Sequence, residues 1–144
     1  MTKKIAIASD HAGVDLKEKI KSEISSLGFE IEDLGTNSSD SVDYPDYGEK
    51  LAESIASGTA EMGVAICGSG IGISIAANRN KKVRAALCHN VETATLARQH
   101  NDANVLALGA RIIDEKTALD CVRAFLSTDF EGGRHADRIA KLSK

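Results

Sequence analysis

The stretch VAICGSGIGISIAAN, residues 64–78, contains the pattern that decides the fold. Its first four residues form a short apolar run of the kind found in a buried strand. Three alternate glycines follow, and a helical stretch begins near Gly70, so the segment predicts a strand, a tight turn and a helix. A helix that starts in this way points unpaired backbone N–H groups into the space beyond the strand, where they favour a phosphate or a developing oxyanion.

Short apolar runs alternate with helical patterns along the rest of the chain. Five segments predict strands: residues 5–8, 29–34, 64–67, 84–87 and 105–108. Three helices are predicted by their apolar faces: Leu16, Ile20, Ile24 and Leu27; Leu51, Ala52, Ile55 and Ala56; Ala118, Cys121, Val122 and Phe125. This alternation predicts an α/β fold with a doubly wound parallel sheet. A short helix after Gly132-Gly133 lies outside it. Because no linker or repeat divides the 144 residues, we expect one domain over residues 1–144.

Composition excludes several classes of function. The formal net charge of -3 argues against a nucleic-acid or anionic-membrane partner, and aromatic residues, at 3%, offer few surfaces for base stacking. No apolar run approaches the ~20 residues of a membrane span. The three cysteines are widely spaced, which favours neither a disulfide framework nor a zinc site. We therefore expect a soluble protein in a reducing cytoplasm, without a metal or other cofactor.

Polar residues and glycines follow the predicted strands at one edge of the sheet, where ligands bind in folds of this kind. The first strand leads into Ser9-Asp10-His11-Ala12-Gly13, the third into residues 67–72, and the fifth through Gly109 to Arg111. The sequence therefore predicts a binding site at this edge.

The glycine turn at residues 68–72 does not match either common nucleotide motif. No Gly-Lys-Ser/Thr follows it as in a P-loop, and Ile73 stands where the dinucleotide fingerprint has its third glycine. Cys67 directly precedes the turn, and a thiolate beside a helix N-terminus can act as a base or nucleophile. The alternatives are glycines that serve only packing and a cysteine that is simply buried.

Other candidate residues are individually ambiguous. A fourth helical stretch starts near Asn90 and ends at His100 and Asn101, where a histidine can be a general acid or base or only a cap. Asp10 and His11 can bind sugar hydroxyls or phosphate, or Asp10 can cap a helix. Arg134 and Arg138 are four residues apart and share a helical face, which suits a dianionic phosphate or a solvated surface. We expect His89 and His135 to be structural or exposed.

Several segments, in order and at similar spacing, resemble the B-type ribose-5-phosphate isomerases of the ribose/galactose isomerase family. They cover nearly the whole chain: Ser9–Gly13, Val42-Asp43-Tyr44-Pro45, Cys67–Asn78, Arg98–Leu106, Gly109-Ala110-Arg111 and Glu131-Gly132-Gly133-Arg134-His135. The resemblance implies a Rossmann-like three-layer domain with a five-stranded parallel sheet flanked by helices, plus the short C-terminal helix. It also implies a homodimer or tetramer whose active sites are shared between subunits.

The resemblance also implies roles for single residues. Cys67 corresponds to the catalytic base and His100 to the residue that assists ring opening, with Ser69 and Asp10 as further catalytic residues. A second subtype has serine in place of this cysteine and a glutamate beyond the turn; Cys67 and Ile73 indicate the cysteine subtype. The implied substrate-binding residues are Asp10, His11, Tyr44, Gly68, Ser69, Gly70, Ile71, Gly72, Asn101, Arg111, Arg134 and Arg138.

The implied reaction interconverts ribose 5-phosphate and ribulose 5-phosphate through a cis-enediolate and needs no cofactor. An isomerase for a six-carbon sugar phosphate, a non-catalytic sugar-phosphate sensor and a cysteine-based redox protein remain as alternatives. The presence of both Cys67 and His100 disfavours the sensor, and the lack of a Cys-x-x-Cys pair disfavours the redox protein.

Overall fold

Five parallel strands form one sheet in residues 3–144, the part of the chain that the computed structural model describes. In chain order they are β1 (Lys4–Ser9), β2 (Glu30–Asp33), β3 (Met62–Cys67), β4 (Ala85–Leu87) and β5 (Val105–Gly109). Their spatial order is β2-β1-β3-β5-β4, and every neighbouring pair is parallel. The predicted parallel α/β sheet is therefore confirmed.

Six α-helices flank the sheet or follow it. They are α1 (Val14–Ser26), α2 (Tyr44–Ala56), α3 (Ile71–Asn78), α4 (Val91–Asn101), α5 (Glu115–Ser127) and α6 (Arg134–Leu142). One buried apolar cluster joins one face of the sheet to α1, α4 and α5, and a second joins the other face to α2 and α3. The result is the expected three-layer arrangement, in which α6 contacts α4 and is the short C-terminal helix.

The two clusters follow from the alternation of side chains along each strand. In β1, Ile5 and Ile7 face the cluster with α1, whereas Ala6 and Ala8 face the cluster with α2. All four are fully buried. Both faces of a central parallel strand are covered by helices, so the strand is apolar throughout rather than at alternate positions.

Helix α1 differs from its predicted apolar face at both ends. Ile20 and Ile24 are fully buried as expected, but Leu27 is 43% exposed because the helix ends at Ser26. Lys17 is fully buried beside them, although a lysine gives no apolar signal in the sequence. It is charged, and its burial therefore requires ionic or hydrogen-bonding partners.

Edge strand β2 supplies the main partner of Lys17. The Lys17 ammonium donates to both carboxylate oxygens of Asp33, at 2.8 and 2.7 Å, and to Oδ1 of Asn37 at 2.7 Å. All three of its protons are thus used. Burial alone would raise the pKa of Asp33, but hydrogen bonds from Lys17 and Lys21 outweigh burial and hold that pKa below its usual value. This ion pair ties α1 to the edge of the sheet.

We expect Asp33→Asn to lower the free energy of unfolding by on the order of 3 kcal/mol, because it leaves the Lys17 charge buried without its carboxylate. A carboxyl group with a lowered pKa stabilises the fold at pH above its unfolded value of ~4, and the effect is lost as pH falls through the folded value. Urea unfolding of both proteins should therefore show a difference near neutral pH that shrinks in acid.

Lys116→Gln is the matched control. Lys116 also pairs with an aspartate, Asp120, at 2.8 Å, but its side chain is 86% exposed. Removing a pair of this kind changes stability by less than ~1 kcal/mol. A loss in Asp33→Asn no larger than in this control would contradict the role given to the buried pair.

Candidate active site

The turn after β3 requires glycine at its centre. Gly70 has φ +79°, in the left-handed region, and a Cβ there would lie 2.6 Å from the Leu87 side chain and 2.8 Å from the backbone of Leu108. Only glycine permits this backbone conformation without strain at so close an approach. The close approach holds the turn against the ends of β4 and β5.

Cys67 lies at the head of this turn and is 4% exposed. The backbone N–H of Gly70 donates to its sulfur at 3.2 Å, which places partial positive charge where a thiolate would carry its negative charge. Ser69 Oγ accepts from the N–H of Ile71 at 3.1 Å. The N–H groups of Ser69 and Gly72 are among those of the turn that have no hydrogen-bond partner within residues 3–144, so they are available to an anionic ligand.

Asp10 and His11 follow β1 and lie at the same edge of the sheet. The Asp10 backbone N–H donates to the Ile66 carbonyl at 3.1 Å, which joins this segment to β3. Its carboxylate accepts from the N–H of Ala12 at 3.0 Å, so it caps a short 3-10 turn. His11 Nδ1 accepts from the N–H of Val42 at 3.2 Å, so the neutral ring carries its proton on Nε2 and can donate from there.

Tyr44 and Arg111 border the glycine turn on two sides. A Cβ at Gly72 would lie 2.4 Å from the Tyr44 ring, so the aromatic ring rests directly on the backbone of α3's first turn. A Cβ at Gly68 would lie 3.3 Å from Nη1 of Arg111, so a guanidinium group lies beside the turn. Both side chains are exposed, as is Ile71 between them in sequence.

The remaining predicted residues lie at the opposite end of the strands. We call the side of the sheet where the strands end the carboxyl edge and the side where they begin the amino edge. Helix α4 starts at the carboxyl edge, after β4, and runs back to the amino edge, where β5 begins at Val105. Its eleven residues span about 16 Å. His100 and Asn101 therefore lie far from Cys67 of the same chain.

Arg134 and Arg138 belong to this second group. Helix α5 also returns to the amino edge, and the segment after it is joined to α4 by a hydrogen bond from the Glu131 N–H to the Gln99 carbonyl at 3.0 Å. Helix α6 thus begins beside the end of α4, and both arginines are exposed on it. The structure brings Asp10, His11, Tyr44, Cys67, the glycine turn and Arg111 to one edge, but not His100, Asn101, Arg134 or Arg138.

A buried arginine fixes the end of α4. Arg98 donates to Asp102 Oδ1 at 2.8 Å and to the Ala103 carbonyl at 2.6 Å, and its Nε donates to the Thr128 carbonyl at 3.0 Å. These bonds join the turn after α4 to the segment after α5. They hold the two chain segments that carry His100 and Glu131 together.

His100 stacks on His135, with ring centroids 4.5 Å apart and planes 15° from parallel. Oε1 of Glu131 lies 3.9 Å from Nε2 of His100 and 3.8 Å from Nε2 of His135. Burial lowers the pKa of His135, with further contributions from His100 and Arg134 and an opposing one from Glu131. His135 is therefore neutral near neutral pH.

The same three side chains are the one candidate metal-ligand group within residues 3–144, since their ligand atoms lie within 4.8 Å of one another. Imidazole and carboxylate are suitable ligands for zinc. However, an ion bound by two imidazoles must lie close to the plane of each ring, and two nearly parallel rings cannot share such a position. The observed arrangement fits a stacked pair better than a metal centre.

The chain matches the family model described as Ribose/Galactose Isomerase over residues 5–142. It is 44% identical to ribose-5-phosphate isomerase B of Escherichia coli, over 98% of this chain and 95% of that protein. A structure of a ribose 5-phosphate isomerase from Thermotoga maritima superposes with a TM-score of 0.96 at 52% identity, over 99% of each chain. The type B enzyme of Trypanosoma brucei superposes at 0.97 with 44% identity, over 99% of this chain and 98% of that one.

The chain belongs to the ribose/galactose isomerase family. It is accordingly an enzyme, an aldose–ketose isomerase acting on a sugar phosphate. None of the helices within residues 3–144 is long and apolar enough to cross a membrane.

Sequence reasoning missed two residues of this member of the ribose/galactose isomerase family. His135 is buried, which agrees with the structural alternative expected for it, but its stacking on His100 was not predicted. Arg98 was part of a matched segment but had no role. The only local signal for His135 was its position directly after Arg134. Its contact with His100 joins residues 35 positions apart, and such a contact leaves no periodic pattern in the sequence.

Thiol labelling should distinguish the three cysteines of this isomerase. Burial raises the pKa of Cys88, and burial with the neighbouring Cys88 raises the pKa of Cys121 to about 11. A raised pKa means less thiolate at a given pH, so both should resist iodoacetamide at about pH 8. We expect one adduct per chain, at Cys67, by peptide mass spectrometry, and none in Cys67→Ala. Faster labelling of Cys88 or Cys121 would contradict this assignment.

Proposed function

We propose that this enzyme interconverts ribose 5-phosphate and ribulose 5-phosphate through a cis-enediolate, with the Cys67 thiolate as base. The observation that carries the proposal is the Gly70 N–H donated to Cys67 Sγ at the head of a turn with free N–H donors. The names of the Escherichia coli, Thermotoga maritima and Trypanosoma brucei relatives support the five-carbon substrate. Parallel assays with ribose 5-phosphate and allose 6-phosphate test that preference directly.

The reaction starts from the furanose, because the open-chain aldehyde is a minor species. His100 donates a proton to the ring oxygen as the C1–O bond breaks, and Asp10 accepts the proton of the C1 hydroxyl. This step yields the open-chain aldehyde. It leaves His100 without the donated proton and Asp10 with the accepted one, and proton exchange restores both groups. A histidine suits the step because it changes protonation near neutral pH.

Isomerisation then moves one proton from C2 to C1. Cys67 removes the C2 proton, and negative charge develops on O1. The N–H groups of Ser69 and Gly72 stabilise that charge, a contribution of ~3–4 kcal/mol per donor in comparable oxyanion holes. Ser69 exchanges a proton between O2 and O1, and Cys67 returns the carbon-bound proton to C1. The electrons move within the sugar, so no external oxidant or reductant takes part.

The complete site draws on two copies of the chain. Cys67 and His100 of one chain lie at opposite edges of the sheet, so the His100 that acts beside Cys67 comes from a partner, together with Asn101, Arg134 and Arg138. An exposed apolar face on α3 supports such a contact, because Ile71 and Ile75 are 53% and 50% exposed one helical turn apart. A homodimer with two shared sites satisfies this requirement, and a tetramer repeats it.

The phosphate binds away from the reacting carbons. Arg134 and Arg138 project from one face of α6 and can form bidentate hydrogen bonds with a dianion. Arg111 and the Nε2–H of His11 lie at the other half of the shared site. Fixing the phosphate holds C1 and C2 in place against Cys67, so binding energy is used for orientation.

We expect Cys67→Ala to lower kcat by roughly 10³-fold or more while the protein still binds the sugar phosphate, because the base is gone and the turn remains. Cys67→Ser should recover little, since an alcohol is a far weaker acid than a thiol. Cys88→Ala, another buried cysteine, is the matched control and should retain near-normal turnover. Near-normal turnover of Cys67→Ala would instead make Cys67 a packing residue.

Mixing two variants of strongly reduced activity tests the shared site. In a mixed dimer of Cys67→Ala and His100→Asn, one site carries both substitutions and the other carries neither. Unfolding and refolding the variants together in equal amounts should therefore restore about a quarter of the wild-type rate, if chains pair at random. Each variant refolded alone is the control. Failure to restore activity, with mixed dimers demonstrated by mass spectrometry, would contradict a site shared between two chains.

A further inference from the structure

The proposed reaction assigns no role to His135 or Glu131, although both contact the ring that is expected to open the sugar. The His135 side chain is 9% exposed, whereas the His100 side chain is 41% exposed. The His135 ring is thus held within the protein. The His100 ring is exposed at the surface where, in the proposed shared site, a second chain supplies Cys67. We call the buried His135 ring the supporting ring and the exposed His100 ring the working ring.

The backbone around the stack is fixed on both sides. The Glu131 N–H donates to the Gln99 carbonyl at 3.0 Å, directly before His100, and the His135 N–H donates to the Gly132 carbonyl at 3.1 Å. The supporting ring is therefore anchored to the same helix end that carries the working ring. Exposed histidines otherwise turn freely about their side-chain bonds, and stacking on a fixed ring removes that freedom.

The charges around the stack favour a single proton carrier. The groups that face His135 are His100, Glu131, Arg134 and Arg138. Because burial and the neighbouring cations keep His135 neutral near neutral pH, a protonated His100 has no second imidazolium stacked against it. Oε1 of Glu131 lies 3.9 Å from His100 Nε2 and 3.8 Å from His135 Nε2, so one carboxylate lies beside both rings.

We propose that His135 is a positioning residue that orients the His100 ring for sugar ring opening, and that the Glu131 carboxylate beside both rings stabilises this arrangement. The proposal rests on the function proposed above for His100. It does not require His135 to touch the substrate.

The test compares a cyclic with an acyclic substrate. Ribose 5-phosphate is mainly a furanose, so its turnover includes ring opening. Ribulose 5-phosphate carries its phosphate on O5 and cannot close a furanose ring, so exchange of its C1 hydrogen with deuterium from solvent reports the Cys67 step alone. His135→Ala should lower kcat for ribose 5-phosphate by about tenfold, a fraction of what a whole acid–base group supplies. Deuterium exchange into ribulose 5-phosphate should stay within twofold of wild type, or ~0.4 kcal/mol.

A conservative variant separates positioning from simple packing. His135→Phe keeps an aromatic face under His100 but has no ring nitrogen, so it should recover most of the turnover lost in His135→Ala. His89→Ala, at an exposed histidine away from the stack, is the control and should match wild type in both assays. Glu131→Gln should slow ribose 5-phosphate turnover and leave the exchange reaction unchanged.

A double-mutant cycle decides whether His135 acts through His100. In the His100→Asn background, His135→Ala should cause no further loss, because there is no ring left to orient. Additive losses would overturn the proposal. So would equal losses in both assays, or a KM raised for both substrates, since these would make His135 a support for Arg134 and Arg138.

The same cycle keeps the two proposals distinguishable. If His100→Asn slows both reactions equally, the ring-opening role of His100 fails, yet non-additive losses would still show that His135 works through His100. If His100→Asn slows only ribose 5-phosphate turnover while His135→Ala changes neither reaction, the role of His100 stands and that of His135 is overturned.

Discussion

The turn after β3 lies against the end of β5 with no room for a side chain between them. A Cβ at Gly109 would lie 2.5 Å from the Ser69 carbonyl, and one at Gly70 would lie 2.8 Å from the backbone of Leu108. This backbone-to-backbone contact fixes the direction in which α3 leaves the sheet. In the same turn the Gly70 N–H donates to Cys67 Sγ, and the Ser69 and Gly72 N–H groups have no partner among residues 3–144 and are available to a ligand.

The fold and one half of the proposed site could be predicted from local patterns. Strands buried on both faces are apolar throughout, and the residues that follow them must lie at one edge of the sheet, so Asp10, Cys67 and Arg111 could be grouped from the sequence. The other half could not be grouped with them in this way. His100 ends a helix rather than a strand, and a helix that joins two parallel strands ends at the opposite edge.

Long-range contacts account for what the sequence did not predict. Lys17 interrupts the apolar face of α1 and is buried only because Asp33 and Asn37, from another segment, use its three protons. His135 is buried because α6 lies beside α4. In both cases a polar residue is stabilised by a partner far away in sequence, and neither hydrophobic periodicity nor a local motif contains that information.

The proposed division of the site between two chains also separates most of its residues from the core. Both buried clusters are complete within one chain, and His100, Asn101, Arg134 and Arg138 belong to neither. Cys67 is the exception, because it belongs to the cluster formed with α2 and α3. A thiolate in such a place loses solvation, and the Gly70 N–H replaces part of it at no reorganisation cost during the reaction. The residues proposed for ring opening and phosphate binding can therefore vary at little expense in stability, whereas the proposed base is constrained by folding and by chemistry at once.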